Sequence, residues 1–183
     1  MEWISKLRLP KDDGLVDGRL AVQQRFKIAM QFLAPLSGLI KRCRIANKRK
    51  TPMGQAMSQV LHGAIEGEYP EQYVNPAKVL LCKGTLSLPF KLTATRMGEF
   101  VLLEYQDNFS RLICGNADDE IVICVYNPDL RIAGMNDEPA TRMDGKVSIR
   151  LPVQLRDTPV HVYCLVHSRD WKQFSRSVYL GEY

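Results

Sequence analysis

Histidine is scarce in this 183-residue chain, with three in all, and tryptophan is scarcer, with two. His62 stands alone and His161 shares one segment with His167, so neither a Ser-His-Asp nor a Cys-His arrangement has a local signature. The patterns GxSxG, HExxH, GxxxxGK[ST] and GxGxxG are all missing. Their absence removes the usual signs of a hydrolase elbow, a zinc peptidase, a phosphate loop and a dinucleotide fold. The five cysteines are odd in number and include no CxxC pair, which argues against a disulfide framework and a zinc ribbon. No apolar run approaches the ~18 residues that cross a membrane. The opening MEWISKLRLPKDDG has no apolar core and no small-residue cleavage site. We therefore expect no secretory signal and a cytoplasmic or particle-associated protein.

What is present is an ordinary globular balance, 45% apolar and 25% charged, with no low-complexity tract. The net charge of +5 is unevenly distributed. Residues 1–70 hold 12 Lys and Arg against 6 Asp and Glu, whereas residues 71–183 hold 13 against 14. The densest block is KRCRIANKRK, with Lys41, Arg42, Arg44, Lys48, Arg49 and Lys50. Such a block suits phosphates or an acidic protein surface, and it equally suits a solvated helix end. A weak, salt-sensitive nucleic-acid contact is the partner it implies.

Helical periodicity governs the first 70 residues. Val22, Phe26, Ala29, Leu33, Leu36, Ile40 and Cys43 recur at spacings of four and three over 18–46. Pro35 interrupts this run, which reads as two shorter helices sharing one apolar face. Thr51 is placed to cap a second helix, with Pro52 at its first position and Met53, Ala56, Met57, Val60, Leu61, Ala64 and Ile65 along one face. Gly67 is the expected C-cap. The short loop between the helices makes them an antiparallel hairpin.

Beyond Tyr69 the period becomes two. Strands are expected over 78–83, 90–95, 100–106, 120–126, 130–133, 146–151, 160–167 and 175–180, with Asp144-Gly145 as a hairpin signal. No helix intervenes, so the strands pair antiparallel. The fold class is α+β: a helical hairpin over 1–70, then an immunoglobulin- or fibronectin-III-like antiparallel β-sandwich over 71–183. The segment EIVICVY is apolar on both alternating faces and belongs to a strand covered on both sides, its second cover being the helices.

The candidate chemistry is thin. His161, Cys164 and His167 have a zinc-like spacing, but on a strand Cys164 points away from both histidines. Asp118, Asp119 and Glu120 beside Asn116 form an acidic loop tip that suits Ca²⁺ or, more simply, a turn. We expect no metal, no cofactor and no catalytic residue. Trp171 in SRDWKQF is either an exposed contact residue or an indole folded back over the end of the sheets. The aromatic residues are dispersed, unlike a base-stacking groove.

In order along the chain, QRF at 24–26, FLAPL at 32–36, GEYP at 67–70, KVLL at 78–81 reaching Gly84, VHVY at 160–163 and SVYLG at 177–181 resemble an uncharacterised bacterial family. That family is a domain of unknown function, about 200 residues long, with helices before a β-sandwich. Its members usually begin with a longer Gly-rich segment, which this chain lacks. The resemblance implies the fold and no activity. We therefore expect a non-enzymatic structural or assembly protein, such as a component of a phage-like particle or filament, that binds itself or a protein partner. Trp3, Met53, Met57 and Trp171 are its candidate contacts. A nucleic-acid-binding protein and a ligand-binding sandwich module are the alternatives.

Overall fold

Residues 13–44, 50–106 and 114–183 are described by a computed structural model. The chain is mixed α+β, and its described residues form three helices and antiparallel sheets of two to four strands. The helices are α1 (Asp13–Leu33), α2 (Ser37–Cys43) and α3 (Pro52–Gly63). Pro35 divides the first apolar run as expected, because it has no N–H to continue the ladder. Turn bonds from Leu36 N to Leu33 O and from Ser37 N to Ala34 O carry the chain from α1 into α2. Ala29, Leu33, Leu36, Ile40 and Cys43 remain on one buried face. At α3, Thr51 caps the helix by accepting from Gly54 N at 3.1 Å. The loop between α2 and α3 lies outside the described residues.

Two-residue strands β1 (Ile65–Glu66) and β2 (Tyr73–Val74) follow α3. Here the expectation for Gly67 is corrected. The helix ends at Gly63, and Gly67, at φ +80°, turns the chain between β1 and β2 against the Glu71 carbonyl. One larger sheet has the order β3 (Phe90–Met97), β4 (Phe100–Gln106), β7 (Lys146–Arg150). The other runs β6 (Ile132–Met135), β5 (Glu120–Asn127), β8 (His161–His167), β9 (Val178–Glu182).

Two cores result. Val101, Leu103, Val147 and Ile149 of the first sheet meet Ile121, Ile123, Val125, Val162, Cys164 and Val166 of the second. On the opposite face of the second sheet, Val122, Cys124, Tyr126, Tyr163 and Leu165 receive all three helices. The Tyr126 hydroxyl donates to the Phe32 carbonyl at 2.9 Å, and the two rings meet edge-on. The Tyr163 hydroxyl donates to Pro76 O at 2.8 Å.

The expected strand over 78–83 does not form. A short 3-10 turn, Pro76–Lys78, leads into an irregular buried segment instead. Its backbone polar groups are satisfied by side chains rather than by a neighbouring strand. Arg44 Nε donates to Leu81 O at 2.8 Å and its guanidinium also reaches Leu80 O. Ser177 Oγ accepts from Leu81 N at 2.9 Å. At Gly84 the chain passes against Phe174, and a Cβ there would land on the Phe174 carbonyl oxygen. Leu86 N then donates to that same oxygen at 2.9 Å. Gly84→Ala is therefore expected to cost about 2–3 kcal/mol in denaturant unfolding, because backbone must move. Gly38→Ala, in open space within α2, should instead raise stability by about 0.5–1 kcal/mol.

Candidate functional site

The β8–β9 connection brings Trp171 and the basic helix end together across about 130 residues of sequence. The loop is held by its own polar groups. Ser168 Oγ donates to Asp170 Oδ1 at 2.7 Å, Trp171 N to Ser168 O at 2.8 Å, and Gln173 N to Ser168 Oγ at 2.9 Å. The Ser168 and Lys172 hydrogen bonds hold the Asp170 carboxyl down to about 2. In this frame Trp171 adopts φ +56°. Its ring stacks on His167 with centroids 3.6 Å apart, and Arg42 Cζ lies 5.5 Å from the indole centroid. Trp171 has features of both readings: its ring lies on His167, and the residue is still 36% exposed.

The basic block divides. Lys41 and Arg42 are exposed at the end of α2. Lys50 is exposed and donates to Ser58 Oγ at 2.9 Å. Lys48 and Arg49, like Trp3, lie outside the described residues. Arg44 leaves the surface altogether: at 5% exposure it binds Gln59 Oε1 and the Leu80 and Leu81 carbonyls, and burial lowers its pKa. This corrects its place in a phosphate-facing block. Beside it opens a 460 Å³ pocket lined by Gln55, Lys83, Thr85 and Lys172, with no carboxylate in its lining.

Met53 and Met57 are partly buried against the helical core. Among the described helical residues, Leu20, Val22, Phe26 and Met30 of α1 are the exposed large apolar ones, and of these Val22, Phe26 and Met30 are each at least half exposed. They extend the face that Ala29 and Leu33 bury.

Two further hollows flank the sheets. On the outer face of the three-stranded sheet, Met97, Phe100 and Leu102 floor a trough of 610 Å³. Glu104, Glu138 and Asp144 rim it, opposed by one cation, Lys146. Thr141 donates to Asp144 from both its N–H and its hydroxyl, holding that carboxyl below its ordinary range. Between α1, β2 and the β5–β6 turn, a 500 Å³ crevice is lined by Gln31, Gln72, Asp129, Arg131 and His161. Burial lowers the pKa of His161, whose Nδ1 stands 3.0 Å from the Tyr179 hydroxyl.

The acidic loop tip has a structural role that the sequence pattern did not reveal. Asp119 is 1% exposed, accepts from Asn116 N at 2.8 Å, and pairs with buried Arg142 at 3.3 Å. Glu120 faces His167 at 3.6 Å, which leaves Asp118 as the exposed acid. Among the described residues, no group of three or more His, Cys, Asp or Glu stands close enough to hold a metal ion. Arg142 lies 23 positions from Asp119, so no local motif announces the pair.

Comparison with known proteins places this geometry in a family. A model of a family of unknown function, DUF6266, matches residues 4–181. The chain belongs to DUF6266. No curated protein and no solved structure matches it. The DUF6266 match runs from the N-terminal segment through β9, so the helices and both larger sheets lie within one family unit.

Two outcomes follow from the burial pattern. Burial pushes the thiols of Cys124 and Cys164 up to about 12, and Cys82 is raised by its hydrogen bond with the Cys43 thiol and by burial. A thiol reagent at pH 8 should therefore modify exposed Cys114 in the folded protein and the other four only after unfolding. Fast native modification of Cys124 or Cys164 would contradict this. Asp119→Ala should destabilise by about 3–5 kcal/mol in denaturant unfolding, since it removes a buried carboxylate that pairs with the buried Arg142 guanidinium. A cost below about 1 kcal/mol would show that the pair is solvated.

Proposed function

We propose that the chain is a non-enzymatic assembly protein working through protein–protein contacts, with its helical layer set on an immunoglobulin- or fibronectin-III-like sandwich. The fold reading is supported by strand order. Lettered A to G from β3 to β9, the sheets are A-B-E and D-C-F-G. A constant-type immunoglobulin domain differs only in carrying its fourth strand on the E edge. One observation carries the function. The apolar face of α1 outruns the core, leaving Val22, Phe26 and Met30 exposed in a row at i, i+4, i+8. A component of a larger particle or filament presents such a stripe to its neighbour.

Sedimentation of the full chain tests this. Association at about 10–100 μM, weakened at least tenfold by Val22→Gln with Phe26→Gln, is expected. A strict monomer throughout that range overturns the reading.

A second reading, binding of nucleic acid, is favoured by the carboxylate-free pocket between Lys83 and Lys172. It predicts weak binding that falls steeply with salt and a shallower slope in Lys83→Gln. Absence of binding at low salt removes it.

A further inference from the structure

We infer that the trough on the outer face of the three-stranded sheet receives the N-terminal segment, residues 2–11, of a second copy of this chain, joining copies head to tail. This rests on the assembly reading and adds to the α1 stripe a second contact. The trough has an apolar floor, Met97, Phe100 and Leu102, of which Met97 is 55% exposed and Phe100 43%. Its rim carries three carboxylates against one lysine. Lys146 stands opposite Glu104 across the β4–β7 ladder and Asp144 is held by Thr141, so among the described residues the rim keeps a surplus of negative charge. The occupant it fits is extended, apolar and basic.

Residues 2–11, EWISKLRLPK, have that chemistry. Trp3, Leu7 and Leu9 fall on one side of an extended chain and Lys6 and Arg8 on the other. Three cations stand against Glu2 alone. The excess positive charge of the N-terminal third and the acidic rim of the trough thus complement each other within one sequence. The second edge of β7, beside the trough, pairs with no strand among the described residues and is open to main-chain hydrogen bonds.

The layer order makes the contact intermolecular. Helix α1, which the segment precedes, lies on the four-stranded sheet, and the trough lies on the far face of the three-stranded sheet. Sheet and helix layers are each about 10 Å apart. Only Asp12 separates residues 2–11 from α1, too short a link to carry them past the two layers, about 20 Å, that lie between α1 and the trough of the same chain. A neighbour's trough imposes no such path. Donor and acceptor lie on opposite faces, so the contact is heterologous and propagates as a chain or closes as a ring.

The test uses full-length protein carrying Val22→Gln and Phe26→Gln, which silences the α1 stripe. One variant adds Trp3→Glu and Leu7→Glu in the segment, and another adds Leu102→Lys in the trough. Each alone should be monomeric in sedimentation, and their mixture should form a one-to-one dimer, because one good segment and one good trough remain. Glu104→Lys with Glu138→Lys, both at exposed positions, serves as a second trough variant, its folding checked by circular dichroism. It should weaken association about tenfold, and Lys6→Glu with Arg8→Glu in the same chain should restore it. Association that ignores both sets of variants, or defects that the mixture and the charge reversal do not repair, overturns the inference while leaving the assembly reading intact. A wild-type chain that never associates overturns both.

Discussion

The central pair of strands, β5 and β8, has no solvent face, and everything else is arranged around that constraint. Their residues alternate between two apolar environments. Ile121, Ile123, Val125, Val162, Cys164 and Val166 enter the core between the sheets. Val122, Cys124, Tyr126, Tyr163 and Leu165 enter the core beneath the helices. A fully buried side chain of this kind contributes about 1.5–3 kcal/mol. Lifting the helices away would uncover this face and leave the Tyr126 hydroxyl without Phe32 O. The helical layer is thus the second cover of the sheet, and its position is set by the strands.

That dependence determines which surfaces remain open for contact. One face each of α1, α2 and α3 is committed to the sheet, with Ala29, Leu33, Ile40 and Val60 essentially without exposure. Apolar character left over on the helical side falls on α1, at Leu20, Val22, Phe26 and Met30. On the other side of the molecule, the three-stranded sheet packs inward with Val101, Leu103 and Ile149 and turns Met97, Phe100 and Leu102 outward, with no third layer over them among the described residues. The two open apolar surfaces are therefore on opposite faces.

The features legible in the sequence were those where local chemistry and tertiary burial agree. Pro35 and Thr51 punctuate the helices as their backbone chemistry requires, and EIVICVY is double-faced because both its neighbours are apolar layers. KVLLCK looks like a strand because its residues are buried, yet its hydrogen bonds go to Arg44 and Ser177, 33 or more positions away. Arg44 and Asp119 look like surface charges because their partners, Leu81 and Arg142, come from distant segments. Trp171 was ambiguous for the same reason: its environment is built by His167 and Arg42 together. The trough left no periodic signal, since it combines alternate residues of three strands with a loop.

Native-state hydrogen exchange tests the two-sided dependence most directly. Amides of Ile40 in α2 and Val60 in α3 should open with the same free energy as those of Val101 and Leu103 in β4, because exposing either face of β5 and β8 unfolds the whole chain. Helical amides that exchange through a separate opening, about 3 kcal/mol or more below the strands, would contradict the account and make the helices a dispensable appendage.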